Sequence, residues 1–209
     1  MTKTTEAMHL AGMVLAGGRS SRFGAEKAVQ PLAGRPLLAW TLAALDGACE
    51  TVAVSARSES GAAMLATSLG RVVLNDDPGH PSGPLAGLTA GLAWAAAGGF
   101  DLLATLPCDT PLVSADHIRA LIAALEGADG AYAVTVRGPQ PLCAVWRSGL
   151  HAALAARLAA GDHPAMRDLL AGIEARAVSF DDADAFGNAN RPEDLARLDN
   201  RLSRAASSS

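Results

Sequence analysis

Short apolar runs alternate along the chain with longer segments of helical periodicity. The runs predict buried strands at Met13–Ala16, Thr51–Ser55, Arg71–Leu74, Leu102–Leu106, Ala131–Val136, Leu142–Trp146 and Ala175–Ser179. Between the first two runs, Leu38, Leu42 and Leu45 fall on one face of a helix that begins at Pro36. Strands that alternate with helices predict a single α/β domain, a three-layer Rossmann-like fold with a mainly parallel central sheet.

Several helix boundaries can also be predicted. Ser114 is a capping residue before a helix over 115–125, and Asn190 is one before a helix over 192–202. A further helix is expected to start at Ser82 or Gly83, because Pro84 suits its first turn. We therefore expect helices to separate most of the predicted strands.

The chain length and the composition of the two ends indicate how many domains to expect and where the protein is located. The 209 residues suffice for one well-cored domain, which we predict over 10–203, with disordered ends at 1–9 and 204–209. No apolar run reaches the roughly 18 to 20 residues that a membrane span needs. The polar residues 1–9 lack a signal-peptide pattern. We therefore expect a cytoplasmic protein without a membrane partner.

Charge and cysteine content narrow the function classes. A formal net charge of −4 argues against a nucleic-acid partner, since binding phosphates over a large surface needs a basic face. Cys49, Cys108 and Cys143 are odd in number and widely spaced, so neither a zinc site nor a disulfide framework is expected. A small anionic ligand remains compatible if its site supplies local positive charge and a metal.

The strongest chemical signal is the segment 15–27, Leu-Ala-Gly-Gly-Arg-Ser-Ser-Arg-Phe-Gly-Ala-Glu-Lys, which follows the first predicted strand. Gly17 and Gly18 allow a tight turn and a close ligand approach because they have no Cβ. Backbone N–H groups of such a turn can bind an anion, and Arg22 and Lys27 add positive charge. The spacing fits neither the P-loop nor the dinucleotide fingerprint. It predicts a nucleotide-phosphate site, with a plain glycine turn as the alternative.

A second signal, Pro107-Cys108-Asp109-Thr110-Pro111, follows the fourth predicted strand. The prolines restrict the backbone and hold Asp109 at the carboxyl edge of the sheet. Mg²⁺ prefers a carboxylate together with phosphate oxygens. Asp109 is therefore a candidate Mg²⁺ ligand beside the phosphate site, and simple turn capping is the alternative.

Glycines also recur within a predicted helix. Gly83, Gly87 and Gly91 are spaced four residues apart and share one helical face. A glycine inside a helix costs about 1 kcal/mol relative to alanine, so Gly87 needs a compensating role. Close packing on the sheet and close approach of a flat ligand both satisfy that need, and the sequence leaves both open.

Together these motifs resemble the nucleotidyltransferases of the molybdenum-cofactor guanylyltransferase type. Segment 15–27 matches the family's phosphate motif with Phe23 in place of Met, and Pro-Cys-Asp-x-Pro matches its metal motif. The resemblance implies catalytic roles for Arg22, Lys27 and Asp109, with Mg²⁺ on Asp109. It also implies nucleotide contacts at Leu15, Ala16, Gly17, Gly18, Lys27, Ser55, Asp76 and Asp109.

Two of the predicted nucleotide-binding positions leave alternatives open. Asp76 is preferred to Asp77 as the carboxylate that precedes the family's Gly-Pro-Leu-Ala-Gly motif. Ser55 stands where family members often carry an Asn that contacts the guanosine. Because a hydroxyl lacks the two-pronged reach of an amide, Ser55 leaves the identity of the base open.

The distal half carries weaker matches. The ending Asn-x-Asn-x-Pro-Glu-Asp-Leu resembles the family's, and Asn188 and Asn190, with Gly83 and Gly87, are expected on the acceptor side. Cys143 lies in a Pro-Leu-Cys-Ala strand and is expected in the core. Residues 162–167 are expected to form the start of a helix. The roles of Asp77, His80, His163 and Arg167 stay open, although the last two could meet an anionic acceptor.

The resemblance implies transfer of GMP from GTP to the terminal phosphate of molybdopterin or Mo-molybdopterin. Pyrophosphate leaves, and the guanine dinucleotide form of the molybdenum cofactor results. Molybdenum-cofactor chain proteins and acceptor molybdoenzymes are the implied protein partners. One alternative is a related enzyme that uses CTP or another phosphate acceptor. The other is a non-catalytic nucleotide- or cofactor-binding protein of the same fold, against which the retention of both Lys27 and Asp109 argues.

Overall fold

Strands and helices alternate along the part of the chain that the structure, a computed structural model, describes: residues 8–17, 26–75 and 83–206. The strands are β1 Leu10–Leu15, β2 Pro31–Leu32, β3 Arg35–Pro36, β4 Thr51–Ser55, β5 Val72–Leu74, β6 Leu102–Pro107, β7 Gly130–Thr135, β8 Gly138–Arg147 and β9 Arg176–Ser179. The helices are α1 Leu37–Asp46, α2 Gly61–Ser68, α3 Pro84–Ala97, α4 Ala115–Ala123, α5 Leu150–Ala159, α6 Met166–Gly172 and α7 Pro192–Ala206, and a 3₁₀ helix covers Lys27–Val29.

Within the described residues, seven strands form one sheet in the order β5-β4-β1-β6-β8-β7-β9. β5, β4, β1 and β6 are mutually parallel. β8 runs antiparallel to both of its neighbours, and β7 pairs with β9 in parallel. The predicted α/β fold with a mainly parallel central sheet is therefore confirmed, with β8 as the strand that breaks the parallel pattern.

Helices cover both faces of this sheet. Alternate residues of β1 point to opposite faces, as the period of a strand requires. Leu10 and Val14 pack with α1, α2 and α4, and Ala11 and Met13 pack with α3, α5 and α6. Burial on both faces explains why β1 is a continuous apolar run rather than an alternating one.

A third and smaller apolar cluster joins the C-terminal helix to the domain. Its buried residues are each at most 3% exposed: Leu32 of β2, Leu37 of α1, Ala189 just before α7, and Leu198 of α7. β2 and β3 form a short antiparallel hairpin that supplies Leu32. This cluster brings the chain just before α7 close to the segment that carries Lys27.

The structure departs from the predicted elements at several points. α2 and the β2–β3 hairpin were not predicted as elements, and α7 runs on to Ala206, beyond its predicted end. Ala165 is the N-cap residue of α6, which agrees with the helix start predicted within 162–167, and the Asp162 carboxylate accepts a hydrogen bond from Arg157 at 2.7 Å. None of the described helices has both the length and the apolar character that crossing a membrane requires.

Candidate active site

A cleft of about 320 Å³ opens where β1, β4 and β6 end, at the carboxyl edge of the parallel strands. Ligands of open α/β sheets bind at this edge. One side, which we name the parallel wall, consists of Leu15, Ala16, Gly17, Ser55, Pro107, Cys108 and Asp109. The other, the bulge wall, consists of Gln140, Pro141, Leu142, Cys143 and Asn188. Glu26, Lys27, Ala28, Gly83 and Pro84 complete the lining.

Backbone hydrogen bonds extend the parallel wall beyond its strands. The Ala16 N–H donates to the Ser55 carbonyl at 2.8 Å, and the Cys108 N–H donates to the Leu15 carbonyl at 3.1 Å. Leu15, Ala16 and Ser55 therefore lie together in the cleft, as the sequence predicts. The Ala16 N–H is thus bonded within the protein, and the nucleotide contact of Ala16 stays a prediction.

The Lys27 ammonium contacts two residues that lie far from it in the sequence. Its Nζ donates to Asp109 Oδ2 at 2.8 Å and to Asn190 Oδ1 at 2.9 Å. The Lys27 and Asp109 side chains are only 16% and 14% exposed, so water screens their ion pair weakly. The structure thus brings together the two residues that the sequence singled out as catalytic and adds Asn190 as their neighbour.

The second oxygen of Asp109 suits a metal ion. Oδ1 is buried and has no hydrogen-bond partner among the described residues. A buried carboxylate oxygen left in this state costs free energy unless a ligand satisfies it. No cluster of three or more His, Cys, Asp and Glu side chains occurs within the described ranges, so a closed protein cage is not formed there. Mg²⁺ fits such a site, because it is commonly held by one or two carboxylates together with waters and substrate phosphates.

The glycines of α3 have separate roles. Gly83 lines the cleft as the N-cap residue of α3, with a φ of 155° that side-chain-bearing residues rarely adopt. A Cβ on Gly87 would lie 2.8 Å from Ser55 Oγ and 3.1 Å from Leu15 Cδ2. Gly87 thus allows α3 to pack closely on the floor of the parallel wall. The structure therefore shows the packing role for Gly87, and its acceptor contact stays a prediction.

The bulge wall arises from an irregularity in β8. Tyr132 of β7 pairs with Ala144, but the next residue, Ala133, pairs with Gln140. The three residues between, 141–143, therefore leave the ladder with β7, and all three line the cleft. Bulges of this kind redirect side chains near functional sites. Cys143 is 1% exposed, so it is buried as predicted and also forms part of the cleft wall.

A buried threonine fixes this bulge. Thr105 of β6 donates from Oγ1 to the Leu142 carbonyl at 3.0 Å, and it accepts a hydrogen bond from Trp146 Nε1 at 3.0 Å. Thr105 and Trp146 are at most 1% exposed. Neither Thr105 nor the bulge was predicted from the sequence. Prolines at 139 and 141 were the available signal, because proline within a strand indicates a bulge or an edge.

The segment before α7 is hydrogen-bonded to the backbone of Asp109. The Ala189 N–H donates to the Asp109 carbonyl at 2.8 Å, and Ala189 is fully buried. The carboxylate of Asp194 accepts from the backbone N–H groups of Asn190 and Arg191, and so it caps α7. The helix cap predicted for the Asn190 side chain is therefore wrong, since its oxygen bonds Lys27 instead. Asn188 lines the cleft, where an acceptor contact remains predicted.

Ion pairs support the residues that lead to Asn188. Asp184 pairs with Arg137 in the turn between β7 and β8 and with Arg201 of α7, and Arg201 also pairs with Asp182. Such exposed pairs are individually weak. As a network, they link the bulge strand, the approach to Asn188 and the last helix.

Other predicted or open residues lie elsewhere. Arg167 is 82% exposed on α6 and pairs with Asp168, and neither it nor His163 lines the cleft. Burial raises the pKa of Cys108 and of Cys143 to about 12, so neither thiol supplies a thiolate at neutral pH. The predicted residues that fall outside the described ranges are Gly18, Arg22, Asp76, Asp77 and His80.

Comparisons with known proteins agree with this geometry. Residues 12–178 match the model of the MobA-like NTP transferase domain. The molybdenum cofactor guanylyltransferase of Cereibacter sphaeroides is 43% identical over 95% of this chain and all of its own. That of Rhodobacter capsulatus is 41% identical over 93% of this chain and 97% of its own.

A solved structure shows the same fold. Molybdopterin-guanine dinucleotide biosynthesis protein A from Archaeoglobus fulgidus superimposes with a TM-score of 0.73 at 23% identity, covering 93% of this chain and 99% of its own. At that identity the likeness concerns the fold alone. The family match and the identity to the curated relatives go further: the chain belongs to the MobA-like NTP transferases and, within them, to the molybdenum cofactor guanylyltransferase family.

Proposed function

We propose that the chain transfers GMP from GTP to the terminal phosphate of molybdopterin or Mo-molybdopterin, with release of pyrophosphate. The observation that carries the proposal is the Lys27 ammonium held between Asp109 and Asn190 in the cleft, in a chain of this family. The names of the curated relatives support a guanylyl donor and a molybdopterin acceptor. The cytoplasmic location and the protein partners stay predictions.

The reaction needs positioning and charge neutralisation more than a strong base. An acceptor phosphate oxygen bonds to the α-phosphorus as the bond to the leaving pyrophosphate breaks, and the attacking oxygen is already anionic. The parallel wall holds the nucleotide and the bulge wall holds the acceptor, so the two phosphates meet near Asp109. Lys27 stabilises negative charge on the transferring group and on pyrophosphate, in a cleft where water screens little.

Asp109 would hold Mg²⁺ through its free Oδ1. When bound there, the ion acts as a Lewis acid and aligns the phosphates for in-line displacement. Asp109 Oδ2 keeps its bond to Lys27 and thereby orients the ammonium towards the same phosphates. The Asp109 carboxylate thus binds the Lys27 ammonium with one oxygen and would bind Mg²⁺ with the other.

A second candidate, transfer of CMP from CTP, rests on Ser55. This side chain is 2% exposed on the parallel wall, at the position where the family resemblance leads us to expect a longer Asn. A hydroxyl offers a single donor and so discriminates bases less strongly than an amide. Ser55→Asn is therefore expected to sharpen the preference for GTP if the base lies against this residue.

The test supplies the purified chain with molybdopterin, Mg²⁺ and each of the four NTPs, and measures pyrophosphate release and the dinucleotide formed. We expect product with GTP alone and none when EDTA removes Mg²⁺. A product with CTP selects the second candidate. Tight nucleotide binding without pyrophosphate release would refute both transfer reactions and leave a binding protein.

A further inference from the structure

We propose that Glu26 is a positioning residue that anchors the backbone of Lys27 to helix α2 and so sets the place of the Lys27 ammonium in the cleft. The inference rests on the proposed function, because the task it assigns to Glu26 is to hold a catalytic lysine. Glu26 immediately precedes the 3₁₀ helix Lys27–Val29 and lines the same cleft.

The Glu26 carboxylate bonds the beginning of α2 with both oxygens. Oε2 accepts from the Gly61 N–H at 2.6 Å, and Oε1 accepts from the Ala62 N–H at 2.7 Å. The first N–H groups of a helix lack partners within the helix, and they attract negative charge. The Ser60 side chain caps the next one, from Ala63, at 3.1 Å. Glu26 therefore completes a cap that α2 cannot make from its own sequence.

Gly61 makes room for this contact. A Cβ on residue 61 would lie 2.9 Å from Glu26 Oε2 and 3.2 Å from Val29 Cγ1. Any side chain there would push the carboxylate away from the helix or displace the 3₁₀ helix. The contact thus depends on two residues 35 positions apart, one on each segment.

The anchor also settles an electrostatic conflict. A free carboxylate lining a phosphate-binding cleft would repel the ligand. Both Glu26 oxygens are instead bonded to α2, so the charge is offset by the N-terminus of that helix. Lys27 is then fixed at both ends: Glu26 holds its backbone, and Asp109 and Asn190 hold its ammonium.

A plain structural role, a cap that only stabilises α2, makes different predictions. Glu26→Gln retains one acceptor oxygen and loses the charge. Gly61→Ala leaves the motif residues untouched, and alanine is the better helix former, so it perturbs the anchor without weakening the helix by propensity. Gly172→Ala at the end of α6 is the matched control, because a Cβ there meets no atom within 4 Å.

We expect Glu26→Gln and Gly61→Ala to lower kcat roughly tenfold or more, the loss of one charge-assisted hydrogen bond, with little change in the acceptor KM. Gly172→Ala is expected to match the parent. Assays run well below the melting temperature of each variant, where a stabilising cap alone leaves kcat unchanged. Parent-like kcat in both anchor variants overturns the proposal.

A double-mutant cycle tests whether Glu26 acts through Lys27. In a Lys27→Ala background, Glu26→Gln should lower kcat no further, since the group it positions is gone. Full additivity of the two losses overturns the proposal.

Hydrogen exchange separates this inference from the proposed function. Glu26→Gln is expected to speed amide exchange at Gly61 and Ala62 and also along Lys27–Val29. Faster exchange in α2 alone overturns the positioning role. If the parent chain transfers no nucleotide to molybdopterin, the proposed function fails, and the exchange at Lys27–Val29 still decides whether Glu26 orders that segment.

Discussion

The two walls of the cleft are built by different physical means. The parallel wall consists of strand ends and the turns that follow them, so residues next to one another in sequence lie next to one another in the site. The bulge wall takes residues 140–143 from an irregular strand and Asn188 from a distant segment. The first wall is fixed by the regular pairing of β1, β4 and β6, and the second by contacts to an irregular strand and a distant segment.

The two walls are therefore expected to respond differently to substitutions. Residues on strand ends keep their positions as long as the sheet forms, so their substitution tests chemistry. Residues on the bulge wall depend on supports outside the cleft, such as Thr105, so their placement can change without any change in the residues themselves. Substitutions at Asp109 and Thr105 therefore separate chemistry on one wall from support of the other.

The largest effect is expected at Asp109 of the parallel wall and at Lys27, its ion-pair partner. Lys27→Ala and Asp109→Asn should each lower kcat by roughly 10² to 10³, the cost of removing one pre-aimed charge. The fold should persist, because both side chains line a cleft rather than fill the core. Steady-state kinetics with saturating Mg²⁺-GTP, together with far-UV circular dichroism, measures both expectations.

Asp116→Asn supplies the control for the change of charge. Asp116 is 89% exposed on α4 and pairs only with Arg119 among the described residues. It should retain parent kinetics. A kcat close to that of the parent in Asp109→Asn would show that this carboxylate takes no part in the transfer.

A smaller effect is expected on the bulge wall. Thr105→Val keeps the shape of the side chain and removes the hydroxyl, which leaves Trp146 Nε1 and the Leu142 carbonyl without their partner. Unpaired buried groups cost about 1–3 kcal/mol, so the free energy of unfolding should fall by that amount. With the bulge loosened, the acceptor KM should rise while the GTP KM stays constant.

Thr105→Ser is the matched control, since it restores the hydroxyl and removes only a methyl group. Urea unfolding and initial rates at varied acceptor concentration measure the two consequences. An equal rise of both KM values in Thr105→Val would mean that the two walls are not independent, and the comparison between them would fail.

Much of the parallel wall could be predicted from the sequence. The apolar runs located β1, β4 and β6, and the glycines, Lys27 and Asp109 stood at their carboxyl ends, where a parallel sheet binds ligands. The strand β4 was predicted with its observed bounds. These signals are local, because each depends on the side chains of a few consecutive residues.

The contacts that depend on distant segments could not be predicted in the same way. The partner of Asn190 is Lys27, 163 positions away, and its own sequence context predicts a helix cap instead. The role of Gly87 was open because packing on Ser55 depends on how α3 lies against β4. Short elements such as α2 and the β2–β3 hairpin carry too few residues for a clear period. In each case tertiary contacts decide.

The smallest effect is a pH dependence behind the bulge wall. His117 lies at the third position of α4, where its Nδ1 accepts a hydrogen bond from the Ser114 N–H at 3.0 Å. Its ring packs edge-on against Phe180 and Phe186, on the approach to Asn188. A protonated Nδ1 cannot accept that bond, so the cap requires the neutral ring.

Burial lowers the pKa of His117 below its usual value, against the opposing charges of Asp182 and Asp116. The unfolded chain therefore binds the proton more readily, and stability must fall as the pH drops through the unfolded pKa of about 6.5. We expect a loss of at most about 1 kcal/mol, the typical contribution of a helix cap, between about pH 7.5 and pH 5. His117→Gln keeps an acceptor at the same capping position and does not titrate. Its free energy of unfolding in urea should therefore change less over this range, and a profile as steep as that of the parent would assign the dependence to another group.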